Sequence, residues 1–473
     1  MSTAAVMVRI FVARCFGVTG IKWPCGSGNC AAKCRVLKRF NTAMHSLVSA
    51  CEKSRTRSAE PQTATKEENV TNSSLKNKQR APRTKATTST PAAPGYHTTH
   101  EILSQPAIWA ETFAQLHQVH TLNGLAANFS AEQPWLFVAC GSSYYLSQLV
   151  CAIWSRDFAM RSSAVPASEL LFAPEEILRR TAAKQIVFVS RSGETTEAIL
   201  AAEMLNKRAE FRTLGVTCKA ASRFEELCTH TLTLPWADEK STVMTRSFTA
   251  ILLSFQKLGA RLKGERTLAA ALDDVPQVAQ RCLDARADSF GNLVAKRKFS
   301  DFVFLGQGAH YWLAQEAALK LTEMSASYAQ AYHTLEFRHG PRSIAGPETL
   351  ITFLMSDAAA GEEVQLAREL HALRAATLVV VNQAAPELRA VSNLLVELNM
   401  DVPEFARFAV AAIPAQLLGL AVGLRNGLDP DSPKNLTRAV VLSGAASAFD
   451  AITPSASQVG ANANLAKTGG GHA

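Results

Sequence analysis

Short apolar runs recur along this chain, and each opens into a small or hydroxyl-rich turn followed by a helical pattern. Trp135–Cys140 ends at Gly141 and is followed by a helical stretch, Ser142–Trp154. Gln185–Ser190 leads through Ser192-Gly193 to a helix over Thr195–Lys207. Thr213–Cys218 and His230–Leu234 are further strand candidates. The alternation then restarts. Phe302–Leu305 ends in Gly306-Gln307-Gly308, a helix runs from Tyr311 to about Tyr328, and Leu350–Met355 and Leu378–Val381 read as strands. Alternating strands and helices predict parallel sheets covered on both faces by helices. The restart predicts two similar α/β units of about 150 residues each. An amphipathic helix over Ile102–His120 precedes the first unit, and a helical stretch around 265–298 joins the two.

Charge divides the chain differently. Residues 1–100 hold 16 Lys/Arg against 4 Asp/Glu, and residues 101–473 hold 33 against 36. The whole excess of +9 therefore belongs to the leader, and the α/β body is near neutral. That body offers no electrostatic case for nucleic acid. Residues 1–95 are expected to be a disordered basic leader and linker, dispensable for folding and binding. The first fifty residues, with seven basic and no acidic side chains, have the composition of an organellar transit peptide or of an unstructured basic extension. The second reading is preferred because the first twenty residues show no helical stripe. Cys25, Cys30 and Cys34 are too loosely spaced to predict a zinc site. The ten cysteines form no disulfide pattern, and reduced thiols in the cytoplasm are the expectation. Phe408–Leu424 is apolar but holds Pro414 and Gln416, so a buried helix is expected and no membrane span. A flexible tail is expected over 443–473.

Ligands of open parallel sheets sit beyond the carboxyl ends of the strands. That rule singles out Ser142 and Ser143 after the first strand, and Ser190, Ser192 and Thr195 after the next. Such turns offer hydroxyls, backbone N–H groups and a helix N-terminus to a phosphate, although Ser and Thr are also ordinary helix caps. Neither turn fits a Walker or dinucleotide fingerprint. On the later helix Glu316, Lys320 and Glu323 stand at i, i+4 and i+7 and share one face. By spacing alone they read as an exposed salt-bridge stripe.

Ser190-Arg191-Ser192-Gly193-Glu194-Thr195 resembles the phosphosugar loop of sugar isomerase (SIS) domains. Ala317–Ser325 with Glu336-Phe337-Arg338-His339-Gly340-Pro341 resembles the isomerase half of glutamine–fructose-6-phosphate aminotransferases. So do Pro414–Gly419 and Asp431–Arg438, while Glu239–Thr249 is similar to the tagatose/galactosamine-6-phosphate isomerase–deaminase branch. The resemblance runs from about residue 100 to 442. It implies two tandem SIS domains, flavodoxin-like parallel sheets flanked by helices, over 96–265 and 266–442.

The resemblance further implies a hexose or hexosamine 6-phosphate as substrate, no cofactor or metal, and a homodimer. By motif, Ser142, Ser143, Ser190, Ser192 and Thr195 would hold the phosphate. Glu323 would move a proton between C1 and C2, and His339, from a neighbouring subunit, would serve ring opening. Glu316 and Lys320 match charged residues of the family's site. Two departures stand out. The leader has no counterpart of the family's glutaminase domain, so glutamine-derived ammonia is not expected from this chain. Arg438 takes the place of a Schiff-base lysine, and a guanidinium is a poor nucleophile because it stays protonated. The expected activity is aldose–ketose isomerisation or amino-sugar-phosphate deamination. The alternatives are amination with ammonia from elsewhere, and a phosphosugar-binding regulator without turnover.

Overall fold

The computed structural model describes residues 93–118, 121–286 and 289–442. The expected leader, as far as residue 92, and the tail from residue 443 lie outside the described residues. Ten strands form two five-stranded parallel sheets. The first contains β1 (Trp135–Ala139), β2 (Ser162–Pro166), β3 (Gln185–Val189), β4 (Arg212–Thr217) and β5 (His230–Thr233), in the order β2-β1-β3-β4-β5. The second contains β6 (Asp301–Gly306), β7 (Ala329–His333), β8 (Thr349–Leu354), β9 (Ala376–Val381) and β10 (Leu394–Glu397). Its order, β7-β6-β8-β9-β10, repeats the first. The expected duplication is therefore present.

Backbone details repeat as well. Gly141 caps the helix Ser142–Phe158 with φ 57° and ψ −131°, and Gly308 caps the helix Ala309–Ser325 with φ 61° and ψ −126°. No other atom lies within 4 Å of a Cβ built at either glycine, so conformation rather than space requires the missing side chain. The two helices end at Ala159 and Ala326, both left-handed with φ 51°. The second ends at Ser325, short of the expected Tyr328, because the chain reverses there.

The central strands β1, β3 and β8 are buried along their whole length, which is why they read as continuous apolar runs. The edge strands β2, β7 and β10 were not anticipated. They are mostly half-exposed, with polar residues such as Ser162, Gln330 and Glu397. The expected Ile102–His120 helix is instead two helices, Tyr96–Leu103 and Gln105–Gln118, broken at Ser104. The joining stretch forms helices Arg266–Ala271, Val275–Arg286 and Ser289–Lys296.

The first core is aromatic: Trp154 meets Trp135, Phe137 and Phe255 at ring separations of 5.1, 5.4 and 6.0 Å. Each such burial stabilises the fold by roughly 1.5–3 kcal/mol. The apolar helix Phe408–Arg425 is core, buried over most of its length, and packs on Ala309–Ser325. Its one buried amide, Gln416, accepts from Gln105 at 2.8 Å. Thr249 donates to the same Gln105 at 2.7 Å, and Trp109 donates to Thr249 at 2.9 Å. This chain of bonds ties the first helices of the body to its last.

Candidate active site

The two turns expected to bind an anion come together because β1 and β3 are neighbours. Past β1 the chain turns at Gly141, and Ser142 and Ser143 open a long helix, both buried. Past β3, Gly193 N–H donates to the Ser190 carbonyl at 3.1 Å and Glu194 N–H to Ser192 Oγ at 3.2 Å. Ser190 Oγ lies 3.4 Å from Ser192 Oγ and 3.1 Å from Thr195 Oγ1, so three hydroxyls converge at one helix start. Gly193 has φ 63°, and a Cβ there would come 2.7 Å from Ser222 Cβ. Both conformation and space demand glycine in this turn.

These hydroxyls line a cavity of about 190 Å³ shared with Lys320 and Glu323. The helix Ala309–Ser325 brings in the charged pair, packing against Ser142–Phe158. Thr242–Met244 and Leu436–Val440 form the remaining walls, and Arg438 is among them. Arg438 makes an ion pair with Asp238.

The exposed-stripe reading of Glu316, Lys320 and Glu323 does not survive. The side chains of Glu316 and Lys320 are 5% and 1% exposed, and that of Glu323 is 20% exposed. Lys320 makes a close ion pair with Glu323, while its Nζ is 3.6 Å from Glu316 Oε1. Burial pushes the Glu316 carboxyl up to about 8, against the pull of the Lys320 charge. Burial also works against the Lys320 ammonium, but Glu323 and Glu316 outweigh it and hold that group above its ordinary value. The trio is therefore a buried Glu316, held toward its protonated form, behind a Lys320–Glu323 ion pair.

The raised Glu316 value has a measurable sign. The folded state holds this proton more tightly than the unfolded chain, so the contribution to stability is complete below about pH 4.5 and is lost as pH rises through about 8. Glu316→Gln, a permanent mimic of the neutral acid, is expected to match the parent at pH 5. At pH 9 it should melt several degrees higher, by up to roughly 4 kcal/mol, the linkage of a carboxyl held at about 8 instead of 4.5. Thermal melts of both proteins at the two pH values check this, and an equal parent–variant gap at both would refute it.

His339 stands apart. It follows the short turn Glu336–Arg338, is exposed, and is not on the cavity wall. Arg338 and Arg342 bind Glu369 on the same domain, at 3.1 and 2.8 Å. Sequence reasoning assigned no role to Arg191, Glu239 or the Thr242–Met244 wall. Their contacts join positions about fifty residues apart, and only the resemblance of Glu239–Thr249 drew attention to that segment.

Among the described residues the second domain has no matching hydroxyl cluster after β8. The third residue beyond β8 is Asp357, where the third beyond β3 is Ser192. Glu404 accepts from Asp357 N–H at 2.8 Å, and Arg407 pairs with the Asp357 carboxylate. Protein carboxylates thus lie at the turn of the second domain that corresponds to the hydroxyl-bearing turn after β3 in the first.

The SIS domain pattern matches twice, over residues 132–261 and 297–422, more than half of the chain. This chain belongs to the SIS domain family. It is 27% identical over 344 residues to a glutamine–fructose-6-phosphate aminotransferase (isomerizing) of Methanothermobacter thermautotrophicus, across 72% of this chain and 57% of that protein. The corresponding protein of Chlamydia muridarum is 26% identical over 363 residues, across 73% and 58%. This SIS chain thus spans less than three fifths of the curated relatives it matches. Among solved structures, a glucosamine-6-phosphate deaminase of Thermotoga maritima has 29% identity and a TM-score of 0.58, covering 73% of this chain and all of that one. A tagatose-6-phosphate ketose/aldose isomerase of Escherichia coli shares the fold at 22% identity, with a TM-score of 0.65 over 74% and 99% of the two chains.

Proposed function

We propose that this SIS protein interconverts an aldose and a ketose form of a hexose or hexosamine 6-phosphate, with deamination of the amino sugar as the closest variant of the same chemistry. The observation that carries the reading is the single cavity in which three converging hydroxyls face a Lys–Glu ion pair. Ser190, Ser192 and Thr195, with Ser142 and Ser143 at a second helix start, would hold the phosphate, favoured there by two helix dipoles. That fixes the distance from phosphate to reacting carbons. Glu323, the most open of the three charged residues, would take the proton from C2 and return it to C1, or the reverse. Lys320 would stabilise the enediolate oxygens that develop between the two transfers.

His339 lies off this cavity, so the reading assigns ring opening to His339 of a second copy and makes the working unit a homodimer. A histidine has the intrinsic pKa to shuttle that proton. No cofactor is called for, and the protein would act in the cytoplasm. Thermotoga's glucosamine-6-phosphate deaminase, matched along its entire length, is the observation that keeps deamination in view.

Incubation with a panel of hexose and hexosamine 6-phosphates, following product sugars and released ammonia, tests the reading. The phosphate assignment has its own check. Ser192→Ala and Thr195→Ala should each weaken 6-phosphate binding by about 1–2 kcal/mol, one hydrogen bond to a charged group. Binding of the unphosphorylated sugar should hardly change. Equal losses for both ligands would show that the turn only supports the fold.

A further inference from the structure

The proposed chemistry makes no use of Arg191, although it stands between Ser190 and Ser192. Its side chain is 4% exposed, and its guanidinium gathers groups from three segments. One terminal nitrogen donates to Glu239 Oε2 and to the Val243 carbonyl, each at 3.2 Å. The other donates to the carbonyls of Thr242 at 2.8 Å and Arg438 at 3.0 Å. Its own carbonyl accepts from Cys218 N–H at 2.9 Å and Thr217 Oγ1 at 3.1 Å, which fixes the residue to the sheet edge. Glu239 is fully buried and also accepts from Thr245 N–H, from Thr245 Oγ1 at 2.9 Å and from both donors of Ser247.

Thr242, Val243 and Arg438 are cavity walls. The final described segment has few other anchors. Val440 accepts from Thr196 N–H at 3.1 Å, Leu442 N–H donates to Thr196 Oγ1 at 2.9 Å, and the Arg438–Asp238 pair is partly exposed. An exposed pair adds little. A buried pair such as Arg191–Glu239 seldom adds net stability over an apolar replacement, yet its planar fork fixes geometry.

We propose that Arg191, with Glu239 as counter-ion, is a positioning residue. It holds the Thr242–Met244 wall and the 436–440 segment against the phosphate turn, and so sets how the sugar is enclosed rather than how its phosphate is held. The proposal rests on the phosphosugar reading for its catalytic part only, because the anchoring is measurable without substrate.

The experiment uses the full chain and two variants. Arg191→Gln combined with Glu239→Gln removes the clamp without leaving a buried charge unpaired. Arg191→Lys keeps the ion pair but cannot reach three carbonyls at once. In the double variant, amides of 240–245 and 436–442 should exchange hydrogen at least about tenfold faster, with β1, β3 and β4 unchanged. The lysine variant should fall between. With sugar phosphate, kcat of the double variant should drop about 100-fold, the effect of misplacing reacting groups by an ångström. Inhibition by inorganic phosphate should stay within about threefold of the parent, since the hydroxyls remain. Unchanged exchange in both segments would overturn the proposal. So would a uniform rise across the strands, or loosened segments with kcat intact. A parent that turns over no sugar phosphate would sink the functional reading instead, and the exchange pattern would still decide the anchoring.

Discussion

Glu323→Gln is expected to bind sugar phosphate nearly as well as the parent and to lose at least about 100-fold in isomerisation, the contribution of a positioned acid–base group. The amide keeps the shape of the carboxylate and removes the basic oxygen. Phosphate binding should persist because the hydroxyl cluster stands on other elements, the turns after β1 and β3. The sharpest readout is exchange of the C2 proton of an aldose 6-phosphate with deuterated water, which reports proton abstraction even where net conversion is slow. Exchange should vanish in the variant. If parent and variant both exchange, Glu323 is misassigned, and Glu336, or Glu316 acting at a pH above about 8 where it ionises, is the next base to test. If the parent exchanges with no 6-phosphate, a non-catalytic phosphosugar-binding role becomes the better account.

The turns that hold the hydroxyls were legible in the sequence because both follow central parallel strands. Such strands are buried on both faces and read as unbroken apolar runs, so the residue after each run marks a crevice. The edge strands β2, β7 and β10 escaped the same reading. Half-exposed residues such as Ser162, Gln330 and Glu397 dilute the apolar signal.

Charge on the helix Ala309–Ser325 was ambiguous by spacing alone, and the family resemblance, not the spacing, marked it as a site. Three ionisable groups at i, i+4 and i+7 describe a solvated face equally well, and it is tertiary packing, including that of the Ser142–Phe158 helix, that buries two of them. The environment that raises Glu316 is thus a product of packing between the two domains. The Arg191 clamp was out of reach for another reason. Its acceptors are mostly main-chain carbonyls, which carry no side-chain signature.

The same helix, Ala309–Ser325, is held from behind, and Gly423→Ala should expose how tightly. In the helix Phe408–Arg425, Gly419 and Gly423 stand one turn apart against residues 320–324. A Cβ at Gly423 would sit 2.4 Å from the Met324 carbonyl oxygen, so backbone must move. Overpacking of this kind costs about 1–3 kcal/mol, and the rigid neighbour here argues for the upper end. The melting temperature should fall by roughly 3–5 °C. Glycine-to-alanine changes in helices otherwise stabilise, by about 0.5–1 kcal/mol. Gly361→Ala is the control: it lies in the helix Ala360–Ala372 with nothing within 4 Å of the added carbon, and should raise the melting temperature slightly. Gly419→Ala should fall between the two, its nearest contacts being 3.1 Å to the Met324 sulfur and 3.2 Å to the Lys320 carbonyl. Since Glu323 precedes Met324, the displacement at Gly423 should also lower kcat more than it raises KM. If Gly423→Ala melts at or above the parent, the two helices are not in the close contact described here.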